Sequence, residues 1–311
     1  MLTLFTTAKP FRGLIAVIQR NALQSWKLLH PDVEVILFGD EDGAAETCAD
    51  YGLRHEVHVE RYQGRIPYVS FMFERAQEIA RHDYLCYSNC DIILIDDFMK
   101  AFRRALKWRK HFLMVSKRWD TEITEAINFE QHDWATKLRR FARRHGLQMD
   151  EYWIDFFLFP KGIYANMPPL AVGYCYWDNW MIWRTLSLGI PVLDCSSAVV
   201  PIHQNHAYSS ESGRIKFVST DVRSLRNREA IGGEEHIASL NDSTHRMTRI
   251  GWVRPHSPKE EVHFSRMRSH VSRMRSHVWN PIWFFLLGVT RPLRSVLGLR
   301  SKAMRSTREK M

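Results

Sequence analysis

Short apolar runs, each closed by a turn and separated from the next by helical spacing, limit what this chain can fold into more than anything else in it. Leu2 to Thr6 is followed by apolar positions at Leu14, Ile15, Val17, Ile18, Ala22 and Trp26, which recur as one helix face does. Val33 to Phe38 then reads as a β-branched strand stopped by Gly39-Asp40. A helix over Ala44 to Tyr51, a short alternating segment around Val57 and Val59, and a helix over Tyr68 to Ala80 lead into a strand that starts at Tyr84. The pattern continues with a helix at Asp96 to Lys107, a strand at Phe112 to Ser116 and a basic helix at His132 to His145. A strand at Trp153 to Phe159, a Trp-rich helix at Asp178 to Leu188 and a strand within Pro191 to Pro201 complete it. Parallel strands need crossovers, and the crossover helices pack on the sheet. The expected fold class is therefore α/β: a mostly parallel, Rossmann-like central sheet with helices on both faces.

The chain has 311 residues, and its formal charge of +10 is gathered at one end. From Arg254 onward there are 13 Lys and Arg against 3 Asp and Glu, and before it 31 against 31. This divides the chain into a neutral body, 1–253, and a basic amphipathic extension, 254–311, suited to an anionic surface. The extension repeats SRMRSHV at 265–271 and 272–278 and is expected to be helical. It then carries WNPIWFFLLGV, shorter than the roughly 20 residues that span a bilayer. An apolar, Trp-bearing run beside cationic residues fits an interfacial anchor. Nucleic acid is the less favoured partner of such a tail, whose binding would then be salt-sensitive and independent of the body. The five cysteines form no CxxC pair, and MLTLFTTAKPF lacks the apolar core of a signal peptide. The expected location is the cytoplasm, with peripheral attachment at the inner face of the membrane.

Candidate chemistry centres on YLCYSNCDIILI, 84–95, where two apolar runs close on Ser88-Asn89-Cys90-Asp91. Ligands of an open parallel sheet sit at the carboxyl ends of its strands. Residues i and i+2 of an extended segment point the same way, so Asn89 and Asp91 are expected to converge on one hard cation, Mn²⁺ or Mg²⁺. The plainer alternative has Asn89 capping a turn. His203 and His206, in HQNHAY after a strand, offer further imidazole ligands, His203 first. Asp155, isolated in WIDFFLF, requires an arginine or an acceptor hydroxyl as partner.

FTTAKPF, YSNCDIIL, MPPLAVG followed by WDNWMI, and HQNHAY resemble, in that order, a family of glycosyltransferase-like proteins of bacteria and plants with the GT-A fold of nucleotide-diphospho-sugar transferases. The resemblance covers roughly residues 1 to 250 and leaves out the basic tail. It implies a metal-dependent transfer of a sugar from a nucleotide diphosphate to a hydroxyl of a glycan or lipid-linked acceptor. Asn89 and Asp91 then take the first and last places of a DxD-type motif, with Asn replacing the first Asp. Thr6, Thr7, Lys9 and Asp40 fall where the donor nucleotide would lie, with Asp40 equally able simply to make a turn. Gly173 allows close approach of a donor phosphate or sugar. Asp178 takes the place of an inverting enzyme's general base, or else caps its helix. Trp177 and Trp180 form a platform for the acceptor sugar, or else belong to the core. No G-x-G-x-x-G or P-loop occurs, which counts against a dinucleotide dehydrogenase and a P-loop NTPase. Three rivals remain: a phosphoester hydrolase, a protein that acts through its tail, and an inactive nucleotide-sugar binder.

Overall fold

The computed structural model describes residues 1–206 and 220–256. β1 (Leu2–Thr7) is buried from its first residue, and α1 (Gly13–Lys27) follows, with Ala22, Leu23 and Trp26 in the core. Then come β2 (Glu34–Phe38), α2 (Ala44–Tyr51), β3 (Arg54–Glu56) and a small hairpin of β4 (Arg61–Tyr62) and β5 (Ile66–Pro67). α3 (Val69–Ile79), β6 (Tyr84–Ser88), β7 (Ile92–Ile93) and α4 (Asp96–Trp108) succeed them. β8 (Leu113–Val115), β9 (Trp119–Thr121), α5 (Trp134–His145), β10 (Leu147–Gln148) and β11 (Phe156–Pro160) follow. The last elements are α6 (Trp177–Ser187), β12 (Val192–Asp194), β13 (Ile202–Gln204), α7 (Val222–Ala230), β14 (His245–Met247) and β15 (Val253–Pro255).

The central sheet has nine strands in the order β15-β14-β12-β8-β11-β6-β1-β2-β3. β3, β2, β1 and β6 run parallel, as do β8, β12 and β14. The expected mostly parallel sheet is thus present. Side chains alternate across it. Leu4, Val35, Leu37, Cys86, Met114 and Leu158 join Trp26 of α1 and Phe98 and Phe102 of α4 in one core. On the other face Phe5 meets Phe73 of α3 edge-on at 4.9 Å, Phe73 stacks on Phe159 at 5.4 Å, and Tyr87 meets Trp177 of α6 at 5.3 Å. All five cysteines are free thiols, four of them buried.

Two departures from the sequence pattern build the site. β11 is antiparallel to both β6 and β8, pairing Phe156 with Ser88, so the chain enters it at the carboxyl edge of β6 and carries Asp155 there. The strand expected within Pro191 to Pro201 is β12; it ends at Asp194, whose carboxylate accepts from the Ser196 backbone N–H and hydroxyl and turns the chain. The polar IHQ is itself a strand, β13, in a second sheet of order β10-β9-β13-β7 that α5 covers with Trp134, Leu138 and Ala142. The boundary expected at 253 falls inside β15, the sheet's edge strand, and the repeated heptad and apolar run of the tail lie outside the described residues.

Candidate metal centre

Asp91 lies at the junction of the two sheets. β6 ends at Ser88, and Ile92 N–H donates to Asn89 O at 3.1 Å, so Asn89 to Ile92 is a turn and not the extended segment expected. The two side chains consequently take different partners. The Asn89 amide accepts from Tyr87 Oη at 3.0 Å and donates to Asp155 Oδ1 at 2.5 Å, so in this structure it orients a carboxylate. The turn is fixed by Gln204, whose backbone N–H and Nε2 both donate to Asp91 O, at 3.2 and 3.1 Å. Trp26 adds a bond from its indole N–H to Ile92 O at 2.8 Å.

β13 brings His203 to the same point, and His206 follows just beyond it. Nε2 of His206 is 3.1 Å and Nε2 of His203 3.6 Å from Asp91 Oδ2. One ligand atom from each of the three residues lies within 4.8 Å of the others. Asp91 Oδ1 is buried and without a hydrogen-bond partner. A buried carboxylate oxygen left unmatched is unfavourable unless a cation or water completes it. Two imidazoles and a carboxylate, borderline and hard donors together, fit a divalent cation, and the imidazoles favour Mn²⁺ over Mg²⁺.

Behind the imidazoles runs a buried ionic chain that the sequence reading missed. His203 Nδ1 is 3.1 Å from Asp120 Oδ1; Arg118 donates from Nε to Asp120 Oδ1 at 2.7 Å and from Nη1 to Asp155 Oδ2 at 2.9 Å. Its guanidinium lies 4.6 Å over the Trp153 ring. Arg118 is thus the partner that Asp155 required. The Asp120 contact keeps the proton on Nδ1 and leaves Nε2 facing Asp91, the outer-carboxylate arrangement that orients a metal-binding histidine. Burial and the Arg118 charge lower the His203 pKa, but Asp91 and Asp120 outweigh them and raise it to about 9. Burial raises the Asp91 pKa, yet His203 and His206 prevail and hold its carboxyl well below the usual range. In the metal-free protein the imidazolium proton is therefore the counter-charge that a divalent cation would supply instead.

Two substitutions test this chain. Asp120→Ala should lower Mn²⁺ affinity by roughly 10- to 100-fold, the usual effect of losing such an outer partner, as read by calorimetric titration. Arg118→Met leaves two carboxylates without their buried cation and should destabilise by about 3 to 5 kcal/mol. At roughly 2 to 4 °C per kcal/mol, the melting temperature should then fall by about 10 °C.

Asp178 stands in the first turn of α6, within reach of the Asp155 and Arg118 charges. Burial pushes its carboxyl up to about 7, with the Asn179 N–H bond at 2.9 Å opposing and the Asp155 charge reinforcing. Tyr176, just before it, holds φ +86°, a strained conformation for a side chain with a Cβ. α7 clamps this loop: Asn227 bonds both backbone groups of Ala171 and Cys175 O, and Ser224 Oγ accepts from Cys175 N–H. Gly173 has φ +78° and open space where a Cβ would stand, so its conformation demands glycine. Trp177 and Trp180 are 4% and 5% exposed, and Trp177 packs between Tyr87 and Phe157. The expected sugar platform is therefore core.

At the end of β1, Thr6 is buried and donates to Thr7 O, whereas Thr7 Oγ1 is buried without a partner. The Lys9 side chain is exposed. Asp40 pairs with Arg61, which also holds Glu41, each at 2.7 Å.

No family model and no curated protein matches this chain. Among solved structures it is similar to glucosyl-3-phosphoglycerate synthase from Mycobacterium tuberculosis, at 13% identity over 86% of this chain and 92% of that one, with a TM-score of 0.43. The same enzyme with Mn²⁺, uridine diphosphate and glucosyl-3-phosphoglycerate matches over 67% and 73%, at 13% identity and TM-score 0.42. A structure described as a mycobacterial protein matches over 68% and 69%, at 12% identity and TM-score 0.41. At these values the likeness is one of chain path, and chemistry rests on the residues.

Proposed function

We propose that this chain is a metal-dependent glycosyltransferase that moves a sugar from a nucleotide diphosphate to an acceptor hydroxyl. The observation that carries this reading is the meeting of Asp91, His203 and His206 at the carboxyl edge of a mostly parallel sheet, with Asp91 Oδ1 buried and unmatched. These three residues would hold Mn²⁺ or Mg²⁺, which neutralises a diphosphate and so improves it as a leaving group. Thr7 and Lys9 would face the nucleotide. Asp178, with a carboxyl poised near 7, would take the proton of the acceptor hydroxyl as its oxygen bonds to the sugar carbon and the sugar–diphosphate bond breaks, which gives inversion. The acceptor is a hydroxyl of a glycan or lipid-linked precursor. Among the described residues Asp91, His203 and His206 are the one group of three metal-competent side chains, which disfavours a two-metal phosphoester hydrolase.

A thermal-shift screen of the full chain against UDP-, GDP-, TDP- and CMP-sugars, with and without Mn²⁺, tests the reading. Ligand at 100 times its Kd should stabilise by about 2.7 kcal/mol, so one nucleotide class should raise the melting temperature only with metal present. No metal-dependent shift with any donor would refute it.

A further inference from the structure

We infer that the outward face of α4 and the tip of the β14–β15 hairpin together dock the protein on an anionic lipid bilayer. α4 buries Phe98, Met99, Ala101, Phe102 and Ala105 against the sheet. Its opposite face presents Lys100, Arg103, Arg104 and Lys107, at the i, i+3, i+4, i+7 spacing of one helical stripe, and all four are exposed. Lys100 pairs with Asp96, whereas among the described residues Arg103 and Lys107 have no acidic partner. The stripe is a cationic surface left for an external anion.

The hairpin tip supplies what a purely electrostatic surface lacks. Ile250 and Trp252 are 70% and 72% exposed, although tryptophan is among the most buried side chains on average. The tip is well formed: Thr248 N–H donates to Trp252 O and Gly251 N–H to Thr248 O, each at 2.7 Å. It also belongs to the same surface as the stripe, because the Arg104 side chain lies so close to Gly251 that a Cβ there would overlap its guanidinium. An aliphatic side chain and an indole held up beside a row of cations match the bilayer interface. The indole settles at headgroup depth, the isoleucine enters the acyl boundary, and the cations meet anionic headgroups. Nucleic acid would use the cations but leave Ile250 without a function.

The chain leaves the described structure at residue 256, four residues beyond Trp252, and its sequence continues into the basic, Trp-bearing tail. Single weak membrane contacts bind marginally and reversibly, and stable attachment takes two. The folded surface would be one and the tail the other. Among the described residues no helix is long and apolar enough to cross a membrane. It does not depend on the metal centre.

Co-sedimentation of the full chain with phosphatidylcholine vesicles, with and without 30% phosphatidylglycerol, decides the matter at about 0.1 M salt, where the Debye length is about 10 Å. Arg103→Glu with Lys107→Glu should lower the partition onto anionic vesicles by about tenfold or more, since each basic residue near such a surface is worth about fivefold. Ile250→Ser with Trp252→Ser should lower it too, and the loss should persist at high salt. All four positions are exposed, so melting temperatures should stay near that of the parent, as should any metal-dependent nucleotide shift. Unchanged partition in both double variants, or no vesicle binding by the parent, would overturn the inference.

Discussion

Asp91→Asn is expected to abolish metal-dependent nucleotide binding while leaving the protein folded. The substitution keeps the shape and removes the one carboxylate among the three converging side chains. Losing an outer partner of a metal ligand already weakens binding by roughly 10- to 100-fold, so losing the anionic ligand itself should weaken Mn²⁺ binding by at least about 100-fold. The backbone of the turn should survive, because Gln204 holds it through Asp91 O and not through the carboxylate. The metal-free variant should therefore give a cooperative melt with no Mn²⁺-dependent shift. A variant that still binds Mn²⁺ with the parent's affinity would show that the centre lies elsewhere and remove the basis for the proposed transferase.

Much of this centre could be read from the sequence. Asp91, His203 and His206 stood out in the sequence because each comes shortly after an apolar run, Tyr84 to Tyr87 for Asp91 and Ala198 to Ile202 for the histidines. The expected convergence of Asn89 with Asp91 rested on the i, i+2 rule, which holds only in extended backbone; the bond from Ile92 N–H to Asn89 O makes a turn, the plainer alternative that the sequence also offered. Arg118 and Asp120 were missed because one precedes and the other sits on β9, a three-residue strand too short to show a period. A trace was present: Arg-Trp-Asp after the buried run Phe112 to Ser116 places two opposite charges two residues apart, on one face of a strand. Trp177 and Trp180 were ambiguous because an aromatic pair reads alike in a core and on a platform, and only their burial separates the two.

The strands share the task of building the centre. β11 is antiparallel and brings Asp155 to the edge where β6 leaves Asn89; β9 and β13 lie side by side and set Asp120 opposite His203. Arg118 ties these pairs together, touching both Asp120 and Asp155. The ionic chain therefore couples the candidate base at Asp178, which feels the Asp155 and Arg118 charges, to the candidate metal ligands.

Asp178→Asn should make the protein more stable above neutral pH and catalytically inert. Its carboxyl is raised to about 7 in the folded chain, chiefly by burial, against about 3.9 when unfolded. Between these values the native state holds the proton that the unfolded state has lost. The contribution is thus fully present below about pH 4 and disappears as pH rises through about 7, a difference on the order of a few kcal/mol. Asparagine cannot ionise, so the variant should melt with the parent near pH 4 and above it at pH 8. Transfer should fall by about 10²- to 10⁴-fold, the usual contribution of a general base, and the residual rate should lose the parent's rise through pH 7. The two readouts separate the roles. Asparagine serves a helix N-terminus as well as aspartate does, so a merely capping role would leave stability nearly unchanged at every pH, whereas removing a carboxylate that is ionised against burial stabilises the variant only where the parent is charged. A variant that melts with the parent at pH 8 and retains transfer would remove Asp178 from the base's role.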